Sequence, residues 1–191
     1  MVELKVDPNK ELIFYVNKNG VPTGETAPKL DAHNGNTKLH AAFSCFIFNE
    51  NGEILVTRRA NVKKVWPGVW TNSVCGHILP GETYEHAILR RAEYELGMKI
   101  KDLELILPNF IYKTPPYKGV IEHEYCPVYL ARAASPPLPN PEEVDSFEWL
   151  KWDDFVMELQ SDKTDEWSYW VKEEVKLFDP KILAPFIYSK E

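Results

Sequence analysis

Residues 83–97 restrict the possible folds more than any other stretch of the chain. Thr83 suits a helix N-cap, Ile88, Ala92 and Leu96 recur at i, i+4 and i+8, and Gly97 suits a C-cap. One helix with both ends marked and a single apolar seam is therefore predicted, and such a seam has to be buried against another layer. The apolar run 40–48, the dipeptide Asn51-Gly52 and residues 54–57 predict a β-hairpin. Further strands are read at 11–16, closed by Asn19-Gly20, at 103–113 and 120–131 around a Pro-Pro-Tyr-Lys-Gly loop, and at 147–150. Helices are expected at 153–160 and 165–178, and the four prolines of 135–141 read as a surface loop. The sum is an α/β (α+β) chain with a mixed central sheet sandwiched between helices. It is read as a single domain over 1–191, with segment 1–26 as an extra strand or cover.

Composition narrows the partners. A net charge of −7 argues against a nucleic-acid partner, whose phosphates need a basic face, but leaves room for a small anionic substrate held by local cations. No apolar run reaches the roughly 20 residues of a membrane span, and the charged N-terminal stretch has no signal-peptide core. Three cysteines do not make a disulfide framework, so a cytoplasmic protein with reduced thiols is expected. No obvious exposed apolar helix suggests association, which points to a monomer. Cys45, in the run 40–48, reads as buried packing.

Chemistry-bearing residues are sparse and unevenly placed. Of five histidines, His33 and His40 are close in sequence, and His77 lies just ahead of the helix. Glu122 and Glu124 alternate with His123, so on a strand both carboxylates share one face. Carboxylates turned inward need a cation, and three imidazoles with two carboxylates suit a divalent ion. Spacing alone does not bring these five groups together.

Residues 76–98 resemble the Nudix box, a glycine and a spaced glutamate leading to an Arg-Glu-apolar-x-Glu-Glu-x-Gly-apolar string. Gly76, Glu82, Arg90, Ala92, Glu95, Gly97 and Met98 fit, whereas Arg91 and Tyr94 stand where the pattern has glutamates. Nudix hydrolases gather carboxylates there to hold divalent ions and activate water. A cation and a phenol in their place suit binding a magnesium diphosphate better than cleaving it.

A longer match is more specific. WPGVWTNSVCGHILPGE at 66–82, NTKLHAAFS at 36–44, VTRRA at 56–60 and EHEYCPVY at 122–129 closely resemble the type I isopentenyl-diphosphate isomerase family, from about residue 28 to 170. The resemblance implies a Nudix fold and interconversion of isopentenyl and dimethylallyl diphosphate through a carbocation-like intermediate. It implies catalytic roles for Cys75, Glu124 and Tyr112, with Trp170, or else Trp167, covering the hydrocarbon. It implies one divalent metal (manganese, magnesium or zinc) on His33, His40, His77, Glu122 and Glu124. A second ion, magnesium, would be held with the diphosphate by Glu95, among Lys29, Arg59, Lys63 and Arg91. The competing expectations are a Nudix-type pyrophosphohydrolase and a non-catalytic binding module.

Overall fold

Nine consecutive buried residues, His40–Phe48, form the strand around which the other strands are arranged. The computed structural model describes residues 11–188. In chain order its elements are β1 (Leu12–Val16), β2 (Pro22–Pro28), α1 (Lys29–Ala32), β3 (His40–Phe48), β4 (Ile54–Arg59), β5 (Trp70–Thr71), β6 (Val74–His77), α2 (Tyr84–Leu96), β7 (Ile100–Leu107) and β8 (Ile111–Lys113). These are followed by β9 (His123–Tyr125), β10 (Val128–Ala133), β11 (Val144–Leu150), α3 (Trp152–Ser161), α4 (Tyr169–Val175) and α5 (Pro180–Ile187).

Strand β3 pairs antiparallel with β1, β4 and β6 and parallel with β9 and β10, which makes the sheet mixed. Its alternation divides the core. Ala41, Phe43, Cys45 and Ile47 pack with Ala87, Ile88, Ala92 and Leu96 of α2. Ala42, Phe46 and Phe48 pack on the other face with Phe155 of α3, Val171 of α4 and Leu183 of α5. The expected sheet between helices is thus present, and its core consists of two clusters separated by β3.

The hairpin forms, with Phe48 opposite Ile54, although β4 then leaves β3 to pair along its length with β11. Helix α2 is capped as predicted. Thr83 Oγ1 accepts from the His86 amide at 3.2 Å, and Gly97 is left-handed at φ 58°.

Several expectations need correction. The two long strands 103–113 and 120–131 are each broken, at Pro108-Asn109 and at Cys126-Pro127, because proline has no N–H to give the ladder. Residues 165–168 are not helical. The Asp162 carboxylate collects the amides of Thr164, Glu166 and Trp167, while Glu166 O and the Ser168 amide bond to Trp70 instead of a helical turn. Helix α5 lies outside the predicted elements, although Asp179 caps it and Pro180 opens it, the usual helix-start signals. Of the expected cover, 11–26 supplies β1 and most of β2, and residues 1–10 lie outside the described residues.

Candidate active site

Two strand registers set the geometry of the site. Opposite Ser44 of β3 stands Cys75 on β6, and opposite His40 stands Glu124 on β9. Ala42 faces His77 across β3–β6, and Tyr112 faces Glu124 across β8–β9. His33 enters just beyond α1, its Nδ1 donating to Lys29 O at 2.6 Å. His40 Nδ1 likewise donates to Lys38 O at 2.9 Å. A carbonyl only accepts, so both rings carry a proton on Nδ1 and turn Nε2 towards the cluster.

The three imidazoles sit with ring centroids 5.0, 5.0 and 5.1 Å apart. One donor atom from each of His33, His40, His77, Glu122 and Glu124 lies within 4.8 Å of every other. His33 Nε2 and Glu122 Oε2 are 2.9 Å apart yet lack the geometry of a hydrogen bond, and both are buried without another partner. Buried polar atoms are ordinarily paired, and two donor atoms aimed at a common point are placed to hold a cation between them. Burial holds the His77 imidazole well below its ordinary pKa, in the neutral form a metal ligand requires. The convergence that spacing could not supply is therefore present, and this donor set fits a divalent metal.

Glu124 links this cluster to a cavity of about 540 Å³. Its Oε1 lies 3.2 Å from His77 Nε2 and 3.5 Å from His40 Nε2, and its Oε2 accepts from Tyr112 Oη at 2.7 Å. Burial opposes its ionisation, but the hydrogen bonds of His40 and His77 outweigh it and hold the carboxyl well below the usual range. Burial, with Glu124 beside it, drives the Tyr112 phenol well upward, so the phenol keeps its proton and donates.

Cys75 and Trp170 line the same cavity. Burial pushes the Cys75 thiol up to about 12, and it stays protonated at neutral pH. The Trp170 indole is held by its Nε1–H to Asn72 Oδ1 at 3.3 Å, with Arg59 Cζ 5.6 Å from its ring centroid. Trp167 packs instead between Trp70 and Phe155, in the core.

The cavity is also lined by cations, and these are already braced. Lys29 Nζ donates to Glu11 Oε2 at 2.7 Å. Arg91 Nε donates to Glu95 Oε1 at 2.7 Å, and its Nη1 lies 3.3 Å from Glu11 Oε1 and its Nη2 3.4 Å from Glu143 Oε2. Lys63 Nζ pairs with the same Glu143 carboxylate. Arg59 gives Nε and Nη2 to the carbonyls of Trp66 and Val65. Glu82 and Arg90 form a two-pronged pair at 2.7 and 2.8 Å that ties the loop after β6 to α2.

Of the residues expected at the site, all but His40, Glu95 and Trp167 line this cavity; His40 belongs to the adjoining His/Glu cluster and Glu95 is paired with Arg91. Sequence reasoning missed Glu11 and Glu143, distant carboxylates without periodic signal, and Asn72. Asn72 is fully buried, contacts Ser44 Oγ, Cys45 O and Val74 O, and holds Trp170. It sits inside the TNSVCGH string, which was its one available signal.

Comparisons with known proteins bear on the fold and the family. The NUDIX domain family matches residues 38–174. A protein of Agromyces mediolanus named isopentenyl-diphosphate Delta-isomerase is 50% identical over 74% of this chain and 68% of its own length. One of the same name from Paenarthrobacter aurescens is 50% identical over 73% of this chain and 76% of its own. Among solved structures, a Deinococcus radiodurans protein superposes with a TM-score of 0.67 at 21% identity, covering 87% of this chain and 98% of that one. A MutT NUDIX hydrolase from Burkholderia pseudomallei reaches 0.55 at 20% identity, over 74% and 99%. At such identities the two structures speak for the fold alone. Fold, site and relatives together place this chain in the NUDIX domain family and, within it, in the isopentenyl-diphosphate Delta-isomerase family.

Proposed function

We infer that this protein is an isopentenyl-diphosphate Delta-isomerase, interconverting isopentenyl and dimethylallyl diphosphate by adding a proton at the terminal alkene carbon and removing one across the allyl unit. The observation that carries this reading is a single cavity lined by Cys75, Glu124, Tyr112 and Trp170 together with the cations Lys29, Arg59, Lys63 and Arg91. An alkene is a poor base, so its acid must stand within contact distance and water must be kept out. Cys75 and Glu124 are assigned as the acid–base pair, arriving on strands that flank β3 from opposite sides.

Tyr112 holds one Glu124 oxygen by a 2.7 Å hydrogen bond and thereby orients the other. Trp170 offers a ring face to the tertiary cation, worth about 2 kcal/mol when desolvated, or roughly 30-fold in rate. Lys29, Arg59, Lys63 and Arg91 are assigned to the diphosphate, whose binding energy is spent on closing the site.

His33, His40, His77, Glu122 and Glu124 would hold a divalent ion, and three imidazoles favour manganese or zinc over magnesium. When bound, such an ion supplies the fixed charge that governs the protonation of Glu124. Glu95 would help hold a magnesium ion arriving with the diphosphate. The reading also takes the protein as a cytoplasmic monomer acting on a small molecule. Its cysteines at 45, 75 and 126 are free, and among the described residues no helix is long and apolar enough to cross a membrane. Hydrolysis is disfavoured because Arg91 and Tyr94 stand where the Nudix pattern has two metal-binding glutamates.

A proton NMR time course with isopentenyl diphosphate and Mg²⁺ in D₂O tests the activity. Expected are the allylic methyl signals of the product, deuterium incorporation, and a fall of roughly a thousand-fold for Cys75→Ala. Released phosphate with no dimethylallyl diphosphate would return the protein to the hydrolases.

A further inference from the structure

The cations of the proposed diphosphate wall are held by a carboxylate from a distant part of the chain. Glu143 lies at the end of the Pro-rich loop, just before β11, and is buried. Its carboxylate pairs with Lys63 Nζ, and its Oε2 lies 3.4 Å from Arg91 Nη2. The backbone is arranged to hold it there. Leu138 N and Asn140 N bond to the carbonyls of Leu96 and Glu95 at 2.6 and 2.9 Å, which docks the loop on the end of α2. Ala60 donates its N–H to Glu143 O at 3.0 Å, and its carbonyl accepts from Lys63 N at 3.1 Å, so one residue sets both partners side by side.

We propose that Glu143 is a positioning residue for diphosphate recognition, holding Lys63 and Arg91 aimed into the cavity. The inference rests on the isomerase reading only for the identity of the substrate. A carboxylate beside an anion site repels the ligand unless the cations it organises contribute more. Here five cations, Lys29, Arg59, Lys63, Lys64 and Arg91, line the same cavity, and Lys63 is largely shielded from solvent. Burial, then Arg59, already lowers the affinity of Lys63 for its proton, and Glu95 and Glu143 act in the other direction. Without Glu143 the lysine would swing outward on its flexible stem or surrender its charge, and either way the diphosphate loses it. Arg91 keeps Glu11 and Glu95 and is displaced less.

The test uses the full chain and two readouts: calorimetric affinity for inorganic diphosphate with Mg²⁺, and KM and kcat with isopentenyl diphosphate. Glu143→Gln is expected to weaken diphosphate binding and raise KM about tenfold, with kcat within about threefold of the parent. Glu143→Asp, keeping the charge, is expected to recover most of that loss. In a Lys63→Gln background the same Glu143→Gln change is expected to cost less than about threefold, because the group it acts through is gone. If Glu143→Gln alone does not fold, the Lys63→Gln, Glu143→Gln double variant, in which Lys63 is not left unpaired, is compared with Lys63→Gln: diphosphate affinity within about threefold is expected, and a larger further loss overturns the proposal. Unchanged or tighter binding, a loss confined to kcat, or an undiminished effect without Lys63 would overturn the proposal. Wild-type protein that binds diphosphate but does not isomerise would sink the activity and leave this inference standing.

Discussion

Glu174 shows how much one side chain can cost the fold. It is fully buried on α4, one oxygen accepts from Ser44 Oγ at 3.0 Å, and the other has no partner. Burial raises its pKa well above the ordinary 4.5; the Ser44 hydrogen bond opposes this, and the nearby Glu124 adds to it. The sign follows from linkage. The folded state keeps a proton that the unfolded state releases above about pH 4.5, so stability falls as pH rises from there towards the raised pKa. Glu174→Gln keeps an acceptor for Ser44 and removes the titration. In chelator, urea unfolding should show the variant gaining on the parent as pH rises, by on the order of 1–2 kcal/mol at pH 8, and matching it near pH 4. A gap that does not widen with pH would mean that Glu174 is solvated or paired in a way the structure does not show.

Helix α2 and the Pro-rich loop meet at Gly97, where two separate demands fall on one position. Its φ of 58° is left-handed, and a Cβ there would come within 2.6 Å of Leu138 O. Gly81, at φ 83°, has nothing within 4 Å of such a Cβ, so it carries the backbone strain without the clash. Gly97→Ala should therefore destabilise by about 2–4 kcal/mol, and Gly81→Ala by about 1. At this chain length the difference should appear as a melting point lower by roughly 4–8 °C in calorimetry. Equal losses in the two variants would show that the loop yields and that the contact does not matter. Because the same loop ends in Glu143, the Gly97 variant is also the one expected to bind diphosphate less well.

Across the whole molecule, the His/Glu cluster joins parts of the chain that share no local structure. His33 comes from the turn after α1, His40 from β3, His77 from β6, and Glu124 from β9 with Glu122 just before it. An ion bound by all five exists only in the folded state, and at a hundredfold excess over Kd it stabilises by about 2.7 kcal/mol. Added Mn²⁺ or Zn²⁺ should raise the melting point of chelator-treated protein by roughly 5–10 °C, and His77→Ala should abolish most of that rise. A shift that survives in His77→Ala would place the ion elsewhere.

What the amino-acid order determined alone is what neighbouring residues can settle between themselves. Thr83 and Gly97 mark the ends of α2 because capping is a contact over three or four residues, and Asn51-Gly52 turns the chain because the turn is four residues long. The cysteine, the histidines and Glu124 were legible as a set through their resemblance to a family, not through spacing. Tertiary structure decided the rest. It brought Glu124 opposite His40 by a parallel register, paired Lys63 with Glu143 eighty positions away, and turned residues 165–168 from helix to a bridge beside Trp70. Contacts of that range leave no period in the sequence. They exist only once the sheet is assembled, and each is selected by the burial and charge of partners that the local chain never meets.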